Sequence, residues 1–428
     1  MPKKPKKEFQ APKGMRDLLP QDLPYWDKLI AAGQELAQDY GFFKIETPVI
    51  EDAELFIRGT GATTDIVEKQ MYFVKTAGGA SLALRPEGTP GVVRAYMENG
   101  MASLPQPVKL FYYGPMFRHE QPQAGRYRQL YQLGLEIFGD PGSVLDAQII
   151  QFCFHLLKSV GLKKIDIHIN SLGCPQCRPT YRKALLDYYR HWKDKLCPDC
   201  RRRLKENPLR LLDCKEEKCQ PIKTQAPASV DYLCDECRRH FKEVLEFLDE
   251  LELPYFLDSF LVRGLDYYTK TIFEVFWEDK AAAPGALGGG GRYDNLVKEL
   301  GGKPTPAVGV ALGLDRIVEL MKKEQVRVSE GPNFKVFLVQ LGLMGKKKSL
   351  KLFERLYQAG ILAAESMSRD SIKAQMKIAD KLGVKFALIL GQQEALDSTV
   401  IIRDMQSGVQ ETVLQEKVVE ELKKRFKK

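Results

Sequence analysis

The sequence predicts an α+β protein in which a strand-rich region encloses a cysteine-rich insertion and is followed by a separate C-terminal α/β domain. Three observations support this. Residues 108–139 contain two long alternating segments joined by a polar loop, the pattern of a hairpin. Eight of the nine cysteines lie between residues 174 and 237. From residue 334, strand patterns alternate with helical ones.

Composition favours an anionic partner. The formal net charge is +9 and the pI is 8.9, so nucleic acid is the first candidate, although a solvated basic surface has the same composition. No apolar run has membrane length, so no membrane partner is expected. Residues 1–10 are basic and lack the apolar stretch of a secretory signal. We expect a basic tail there and a cytoplasmic location.

The first elements combine one helix with several strands. Residues 19–40 have helical apolar spacing, and Gly41 ends that helix. Residues 42–50 resemble a single strand, which Pro48 places at a sheet edge or a subunit contact. Residues 71–76 and 81–88 predict a second hairpin through a Gly-Gly turn.

A carboxylate marks the turn after that hairpin. Thr89 and Pro90 predict a helix with Thr89 as its N-cap and Pro90 at the first position. Glu87 just before it either binds a cationic group or interacts with the helix N-terminus.

The long hairpin has two different faces. Along its second strand, alternation separates an apolar row from a polar row: Tyr131, Leu133, Leu135 and Ile137 against Gln132, Gly134 and Glu136. Gly114 and Gly134 would leave room for a ligand lying flat on the sheet. The alternative is a polar sheet face in solvent.

The clustered cysteines indicate metal binding. They form four close pairs: Cys174 and Cys177, Cys197 and Cys200, Cys214 and Cys219, and Cys234 and Cys237. Two such pairs complete a tetrahedral site, so we predict two structural Zn²⁺ sites. The alternatives are an iron–sulfur cluster, one occupied site, or His240 in place of a thiolate. Spacing leaves open which pairs combine.

Further along, two segments suggest ligand contacts. Residues 288–291 are all glycine, which permits either close approach to a ligand or a flexible turn. Residues 307–323 predict a strand, a glycine turn and a helix that has Arg316 in its first turns. An anionic partner would explain a cation there.

The absence of two common nucleotide-binding motifs narrows the reactions that this protein could catalyse. The sequence has neither G-x-x-x-x-G-K-[ST] nor G-x-G-x-x-G. Arginines on strands and turns favour adenylyl or phosphoryl transfer instead, because they neutralise charge on the transferred group: Arg118, Arg126, Arg263 and Arg316. A carboxylate nucleophile is already ionised and would need no general base.

These residues lie in segments that resemble a known family. Three segments resemble motifs 1, 2 and 3 of class II aminoacyl-tRNA synthetases: the Pro48 strand, residues 117–136 and ALGLDR at 311–316. Two segments resemble the signatures of the histidyl-tRNA synthetases: LALRPEGT at 82–89 and RGLDYYT at 263–269. Residues 378–404 resemble that family's anticodon-binding domain.

The resemblance implies an α+β fold with a class II antiparallel-sheet catalytic domain, an inserted Cys-rich helical domain and a C-terminal α/β anticodon-binding domain. The implied organisation is a basic tail at 1–10, a catalytic domain in two parts at 11–170 and 251–325, the insertion at 171–250, a linker at 326–333 and the anticodon-binding domain at 334–428.

The implied activity is ATP- and Mg²⁺-dependent conversion of L-histidine to histidyl-adenylate, followed by transfer to tRNA(His), in a homodimer. Two alternatives are a catalytically inactive histidine-binding regulatory paralogue and a zinc-dependent RNA-binding protein without chemistry. Retention of Arg118, Arg263, Arg316 and residues 334–428 argues against the former.

Roles follow from the matching motif positions. The histidine-binding residues would be Glu87, Thr89, Gln132, Glu136, Tyr267 and Tyr268. The catalytic residues would be Arg118 and Arg263, and the ATP-binding residues Arg118, Glu120, Arg126 and Arg316. The sequence departs from the usual pattern in three places: Leu130-Tyr131 replaces Phe-His, Gln121 replaces an arginine, and the eight clustered cysteines are absent from many members of the family.

Overall fold

A computed structural model describes residues 9–121, 125–277, 285–329 and 333–426. The chain divides into two compact units, Met1–Val328 and Ser329–Lys428. Most of the predicted basic tail and part of the predicted linker lie outside the described residues, as does the centre of the motif 2 loop.

The first unit is built on a large, mostly antiparallel sheet. The strands of this unit, which belong to two sheets, are β1 (Phe43–Lys44), β2 (Ile50–Asp52), β3 (Tyr72–Lys75), β4 (Ser81–Leu84), β5 (Val108–Phe117), β6 (Gln129–Phe138), β7 (Ile165–Ser171), β8 (Phe256–Leu257), β9 (Thr269–Trp277), β10 (Gly288–Arg292) and β11 (Ala307–Gly313). The large sheet has the order β1-β5-β6-β11-β10-β9-β7-β8, with short parallel strands only at its two edges. The strands β2, β4 and β3 form a small antiparallel sheet.

Helices cover one face of the large sheet. The helices of this unit are α1 (Leu23–Asp39), α2 (Ala53–Thr60), α3 (Thr89–Glu98), α4 (Val144–Ser159), α5 (Arg178–Arg190), α6 (Pro198–Glu206), α7 (Gln220–Lys223), α8 (Asp235–Glu250), α9 (Leu296–Glu299) and α10 (Leu314–Lys323). The apolar row of β6 packs against α1, α4 and α8 in one buried core, through residues such as Leu29, Phe152 and Val244. Each such side chain stabilises the fold by roughly 1.5–3 kcal/mol. The opposite face of β6 is left for the polar row.

The predicted long hairpin is confirmed, because β5 and β6 pair antiparallel from Val108↔Phe138 to Phe117↔Gln129. The prediction of a single strand over residues 42–50 is wrong. The chain instead forms β1 in the large sheet and β2 in the small one, and Pro48 lies between them outside either strand. A proline lacks the N–H that a continuous strand would need there.

The structure rules out one of the two expectations for the glycine segment. Residues 288–291 belong to β10, which pairs with β9 on one side and β11 on the other. It is therefore an interior strand and not a flexible turn. Because Gly289 has no side chain, the Arg263 guanidinium can occupy the space beside it, where a Cβ atom would overlap it.

The second unit is a five-stranded α/β domain. Its strands are β12 (Val336–Gln340), β13 (Ala363–Glu365), β14 (Phe386–Leu390), β15 (Thr399–Asp404) and β16 (Gln410–Leu414), in the order β13-β12-β14-β15-β16. Its helices are α11 (Gly342–Gln358), α12 (Ile372–Lys381), α13 (Gln392–Leu396) and α14 (Val418–Phe426). The predicted α/β pattern is confirmed, although β16 and α13 were not expected. Nowhere in the described ranges is a helix both long and apolar enough to cross a membrane.

Candidate active site

A cleft of about 570 Å³ lies over the polar face of the β5–β6 hairpin. Its walls come from the turn before α3, the loop between β8 and β9, and residues 210–215 of the insertion. Every predicted histidine- or ATP-binding residue except Glu136 lines this cleft, and Glu136 is buried behind Thr89, which donates a hydrogen bond to it. The fold therefore brings together residues that are far apart in sequence.

Glu87 forms the floor of one end. It is 4% exposed; Thr60 donates a hydrogen bond of 2.7 Å to its Oε1, and Tyr267 donates one of 2.8 Å to its Oε2. Burial raises the pKa of Glu87, with Arg118 opposing the shift. No lysine or arginine of the described residues forms an ion pair with it. A small cationic ligand would favour its ionised form.

Glu136 is the second buried carboxylate of this end. Its Oε1 accepts hydrogen bonds from Thr89 (2.7 Å) and Tyr112 (3.4 Å), and Tyr293 donates to its Oε2. On the next strand, a Cβ atom at Gly309 would overlap its carboxylate, so only glycine fits there. Burial raises the pKa of Glu136 to about 8.

Thr89 has a different role from the one predicted by its position. The helix α3 begins at Thr89 itself with Gly88 as its N-cap, and the Thr89 side chain makes no capping hydrogen bond. The N-cap prediction is wrong because the hydroxyl donates to Glu136 instead.

Gln132 presents an amide to the cleft. It is 9% exposed, and its Oε1 accepts no hydrogen bond from any described residue. On the neighbouring strands its cross-strand partners are Gly114 and Gly313, neither of which has a side chain to satisfy it. Because an unsatisfied buried amide oxygen costs free energy, a ligand donor is the natural partner.

The prediction that Gly114 and Gly134 leave room for a ligand is wrong. The space beside Gly134 is filled by the Tyr112 ring, and the space beside Gly114 by the Arg85 guanidinium. These glycines therefore allow protein side chains to cross the sheet face. Tyr112 in turn reaches Glu136 by this route.

Two tyrosines and an arginine form the opposite wall. The rings of Tyr267 and Tyr268 lie 4.7 Å apart between centroids, and the guanidinium of Arg263 lies 5.7 Å from the Tyr268 ring. Arg263 also forms an ion pair with Glu274 on β9. Its Nε is buried and makes no hydrogen bond with the described residues. Arg263 is thus oriented by the protein with donor capacity remaining.

The other end of the cleft is cationic. Arg118 donates from Nε to the Pro86 carbonyl (2.8 Å), and Arg316 donates to the carbonyls of Ala286 (2.6 Å) and Gly125 (3.3 Å). Arg126 lies 3.8 Å from Glu120, the only carboxylate contact among these three arginines in the described ranges. Carbonyl partners orient a guanidinium without neutralising it, so the end is suited to phosphates.

Outside the cleft, the insertion contains two groups of four cysteines. Cys174 and Cys177 combine with Cys234 and Cys237, and Cys197 and Cys200 combine with Cys214 and Cys219. Within each group the sulfur atoms lie within 4.8 Å of one another. We call the first the outer group and the second the inner group, because the second is nested inside the first in sequence. The structure thereby selects one of the three possible pairings.

His240 is not part of either group. It lies on α8 with its Nε2 3.8 Å from Asp146, and neither ring nitrogen makes a hydrogen bond with the described residues. The hypothesis that it replaces a thiolate is wrong, since four sulfurs already converge in the outer group.

Comparisons with known proteins now identify the family. A sequence model described as "Histidyl-tRNA synthetase" matches residues 14–176 and 202–317, and one described as "Anticodon binding domain" matches residues 335–425. A histidine--tRNA ligase of Desulforudis audaxviator is 47% identical over 97% of this chain and 99% of its own length. The chain belongs to the histidyl-tRNA synthetase family.

A second relative and a solved structure support the same family. A histidine--tRNA ligase of Desulforamulus reducens is 45% identical over 94% of this chain and 96% of its own length. A crystal structure of apo histidyl-tRNA synthetase from S. aureus superposes with a TM-score of 0.80 at 34% identity, covering 97% of this chain and all of that one. The class II fold expected from the resemblance is confirmed.

The family match leaves out part of the insertion. Residues 177–201 fall between the two matched segments and contain Cys177, Cys197 and Cys200. One cysteine of the outer group and two of the inner group therefore lie in the part that this family model does not describe.

The departures from the family motif lie at the cleft or close to it. Leu130 lines the cleft, and Gln121 is exposed at the start of the motif 2 loop, whose residues 122–124 lie outside the described ranges.

Sequence reasoning missed several residues that hold the site. Thr60 supports Glu87, and both Tyr112 and Tyr293 support Glu136. Tyr112 could have been found, because it alternates with Gly114 on the face that points to the cleft. Thr60 gives no local signal, since it is the last residue of α2 and meets Glu87 only through folding.

Proposed function

We propose that this protein activates L-histidine with ATP to form histidyl-adenylate and pyrophosphate, and then transfers the histidyl group to tRNA(His). The observation that carries the proposal is a single cleft with two buried carboxylates at one end and, at the other, Arg118 and Arg316 without an ion-pair partner among the described residues. Such a cleft fits an amino acid joined to a nucleotide phosphate, and the chain belongs to a family named for this activity.

The amino-acid end would bind histidine by charge and hydrogen bonding. Glu87, with Thr89 and Gln132 at its sides, is suited to the ammonium group. Glu136 lies deeper and with the Tyr268 hydroxyl is suited to the imidazole, with Tyr267 adjacent. These assignments place a cation beside the carboxylate that lacks an ionic partner among the described residues.

The arginines would act on the phosphates. The histidine carboxylate attacks the α-phosphorus of ATP, a new O–P bond forms, and the bond to the β,γ-pyrophosphate breaks with the electron pair leaving on pyrophosphate. Arg118 and Arg263 would neutralise the charge that develops at the α-phosphate. Arg316 and Arg126 would hold the outer phosphates, with Glu120 towards the adenine.

Mg²⁺ would accompany ATP as part of the substrate. The Glu274 carboxylate lines the cleft beside Arg263 and offers the oxygen ligands that Mg²⁺ prefers. The ion would supply further neutralisation of the phosphates.

Histidine-dependent exchange of pyrophosphate into ATP tests the activity. Purified protein with ATP and Mg²⁺ should exchange pyrophosphate when histidine is added and not with other amino acids. A regulatory paralogue would bind histidine without exchange. That alternative is disfavoured because Arg118, Arg263 and Arg316 all reach the cleft and the anticodon-binding segment is present.

The cysteine groups would each hold a structural Zn²⁺. The fit can be tested geometrically, because a tetrahedral ion with Zn–S bonds of about 2.3 Å separates its sulfurs by about 3.8 Å. Observed separations are 3.7 Å for Cys174–Cys177, 4.0 Å for Cys174–Cys234 and 3.9 Å for Cys197–Cys214. Four thiolates leave no open position for a reacting water, so the ion would stabilise the insertion.

Metal analysis decides between these possibilities. Two zinc ions per chain are expected, one lost in Cys177→Ser and the other in Cys214→Ser, each with lowered thermal stability. Iron in place of zinc, or one ion that only one of the two substitutions removes, would contradict the assignment.

A homodimer in the cytoplasm completes the proposal. The edge strand β1 exposes 75% of Phe43, and the small sheet exposes 54% of Phe73 and 44% of Ile50. Exposed apolar groups at a sheet edge suit a subunit contact. Light scattering should give twice the chain mass, and Phe43→Asp should shift the protein towards monomer.

A further inference from the structure

The segment between two inner-group cysteines, Cys200 and Cys214, contacts the catalytic half directly. Within this docking segment, Arg203 reaches Asp65 at 3.0 Å, and Asn207 reaches the Asp266 carboxylate at 3.0 Å. Asp65 precedes a helical turn at Ile66–Gln70, and Asp266 lies in the RGLDYYT signature. The insertion is therefore connected to two elements of the cleft.

Arg210 is the most buried of these contacts. It is 6% exposed, its Nη2 donates to Asp65 Oδ2 at 2.7 Å, and it lines the cleft. Its Nη1 is buried without a hydrogen bond to any described residue and lies against Gly264, where a Cβ atom would be 3.3 Å away. The ion pair with Asp65 offsets the cost of burying this guanidinium, but the unpaired Nη1 donor still costs free energy, which points to a role for this position beyond packing.

Arg210 is connected to the amino-acid end through Asp65 and through the segment that contains Gly264 and Asp266. The Asp266 N–H donates to the Thr60 carbonyl at 3.1 Å, and the Thr60 hydroxyl donates to Glu87. Gly61, with φ of 103°, follows Thr60, and a Cβ atom there would overlap the Asp266 carboxylate. The residue after Asp266 is Tyr267, which also donates to Glu87.

Electrostatics at Asp65 agree with this geometry. Burial alone would raise the pKa of Asp65, but Arg203 and Arg210 hold it below its usual value. The carboxylate thus remains ionised as the shared partner of the two arginines.

We propose that Arg210 is a positioning residue for the amino-acid end: through its ion pair with Asp65 and its contact with Gly264 it fixes the two chain segments that hold Glu87. The proposal rests on the proposed activation of histidine. If Arg210 has this role, the insertion contributes to amino-acid binding. The inner group contributes too, because it fixes both ends of the docking segment.

The first test separates positioning from phosphate binding. Arg210→Met keeps most of the side-chain volume and should raise both the histidine KM in pyrophosphate exchange and the histidine Kd by about tenfold, with the ATP KM within about twofold. Arg210→Lys should recover part of the loss. Arg202→Met is the matched control, because its partner Glu68 is reached from a side chain that is 38% exposed; it should behave as wild type.

The second test measures the energetic coupling between Arg210 and Asp65 and the local stability of the two segments. Asp65→Asn should raise the histidine Kd in the same way, and the double variant with Arg210→Met should be about as impaired as either single variant. Hydrogen exchange of residues 60–66 and 263–268 should speed up in Arg210→Met at unchanged global stability.

Several results would overturn the proposal. One is a rise in the ATP KM alone, which would make Arg210 a phosphate ligand. Others are additive effects in the double variant, unaltered exchange in both segments, or global unfolding of both Arg210 variants. Wild-type protein without histidine-dependent exchange would refute the proposed function itself, whereas active wild type matched by Arg210→Met would refute only this inference.

Discussion

The two ends of the cleft hold their charged groups in opposite ways. At the amino-acid end, Glu87 and Glu136 are buried and receive hydrogen bonds from protein hydroxyls. At the phosphate end, Arg118 and Arg316 are only partly buried and donate to backbone carbonyls.

The two ends differ in whether their side chains are charged before a ligand binds. Burial raises the pKa of both carboxylates, so their ionised forms depend on a cationic or hydrogen-bonding ligand. The guanidiniums of Arg118 and Arg316 stay charged with or without a ligand, and their carbonyl partners only orient them. The amino-acid end is therefore expected to select its ligand through protonation and fit, and the phosphate end through charge already in place.

The largest effect should come from Arg263, which lies between the two ends. Arg263→Ala should lower the exchange rate by about a hundredfold to a thousandfold, because it removes charge stabilisation at the reacting phosphate. Histidine affinity, measured by calorimetry, should stay nearly unchanged. Arg58→Ala, in an exposed ion pair with Glu54, is the control. Equal losses of rate and affinity would place Arg263 in the amino-acid end instead.

Glu87 tests the amino-acid end directly. Glu87→Gln keeps the shape but removes the charge offered to the ammonium group, and one of the two hydroxyls that donate to Glu87 must then accept from the amide. The histidine Kd should rise by about tenfold to a hundredfold, the range expected for a charged hydrogen bond. The ATP KM should stay unchanged. If the ATP KM rises as much, the two ends are not independent and the comparison fails.

Glu136 predicts a pH dependence of binding. With its pKa raised to about 8 in the free protein, it is mostly protonated at pH 7, and imidazole binding to the ionised form must release a proton. Between pH 6.5 and 8, histidine affinity should therefore rise with pH, by up to about tenfold per unit, and level off above. Titration calorimetry in several buffers measures both quantities.

The matching variants identify the source of that proton. Glu136→Gln should remove most of the slope, whereas Glu120→Gln, at the phosphate end, should retain it. A wild-type protein with a flat profile would mean that Glu136 stays protonated in the complex.

The smallest expected effect is at Arg316. Arg316→Lys keeps the charge but loses the fork that spans the carbonyls of Ala286 and Gly125. The ATP KM should rise by about threefold to tenfold with the histidine Kd unchanged. An unchanged ATP KM would show that charge alone, without orientation, suffices at this end.

Much of this protein can be read from local patterns. Alternation along residues 129–138 places the apolar row in the core and the polar row at the cleft, as the structure bears out. The spacing of close cysteine pairs indicates four-thiolate groups, and the motifs around Arg118, Arg263 and Arg316 indicate phosphate chemistry. These properties depend on neighbours within a few positions, so sequence alone determines them.

Only the tertiary structure decided which distant residues meet. The bond from Tyr267 to Glu87 joins positions 180 apart, and the one from Tyr293 to Glu136 spans 157. The register of the β5–β6 hairpin gives the space beside Gly134 to Tyr112, and the loop before β9 brings Arg263 beside Gly289. The nested cysteine pairing and the burial of Arg210 against the catalytic half likewise arise from packing between segments, which no local period encodes.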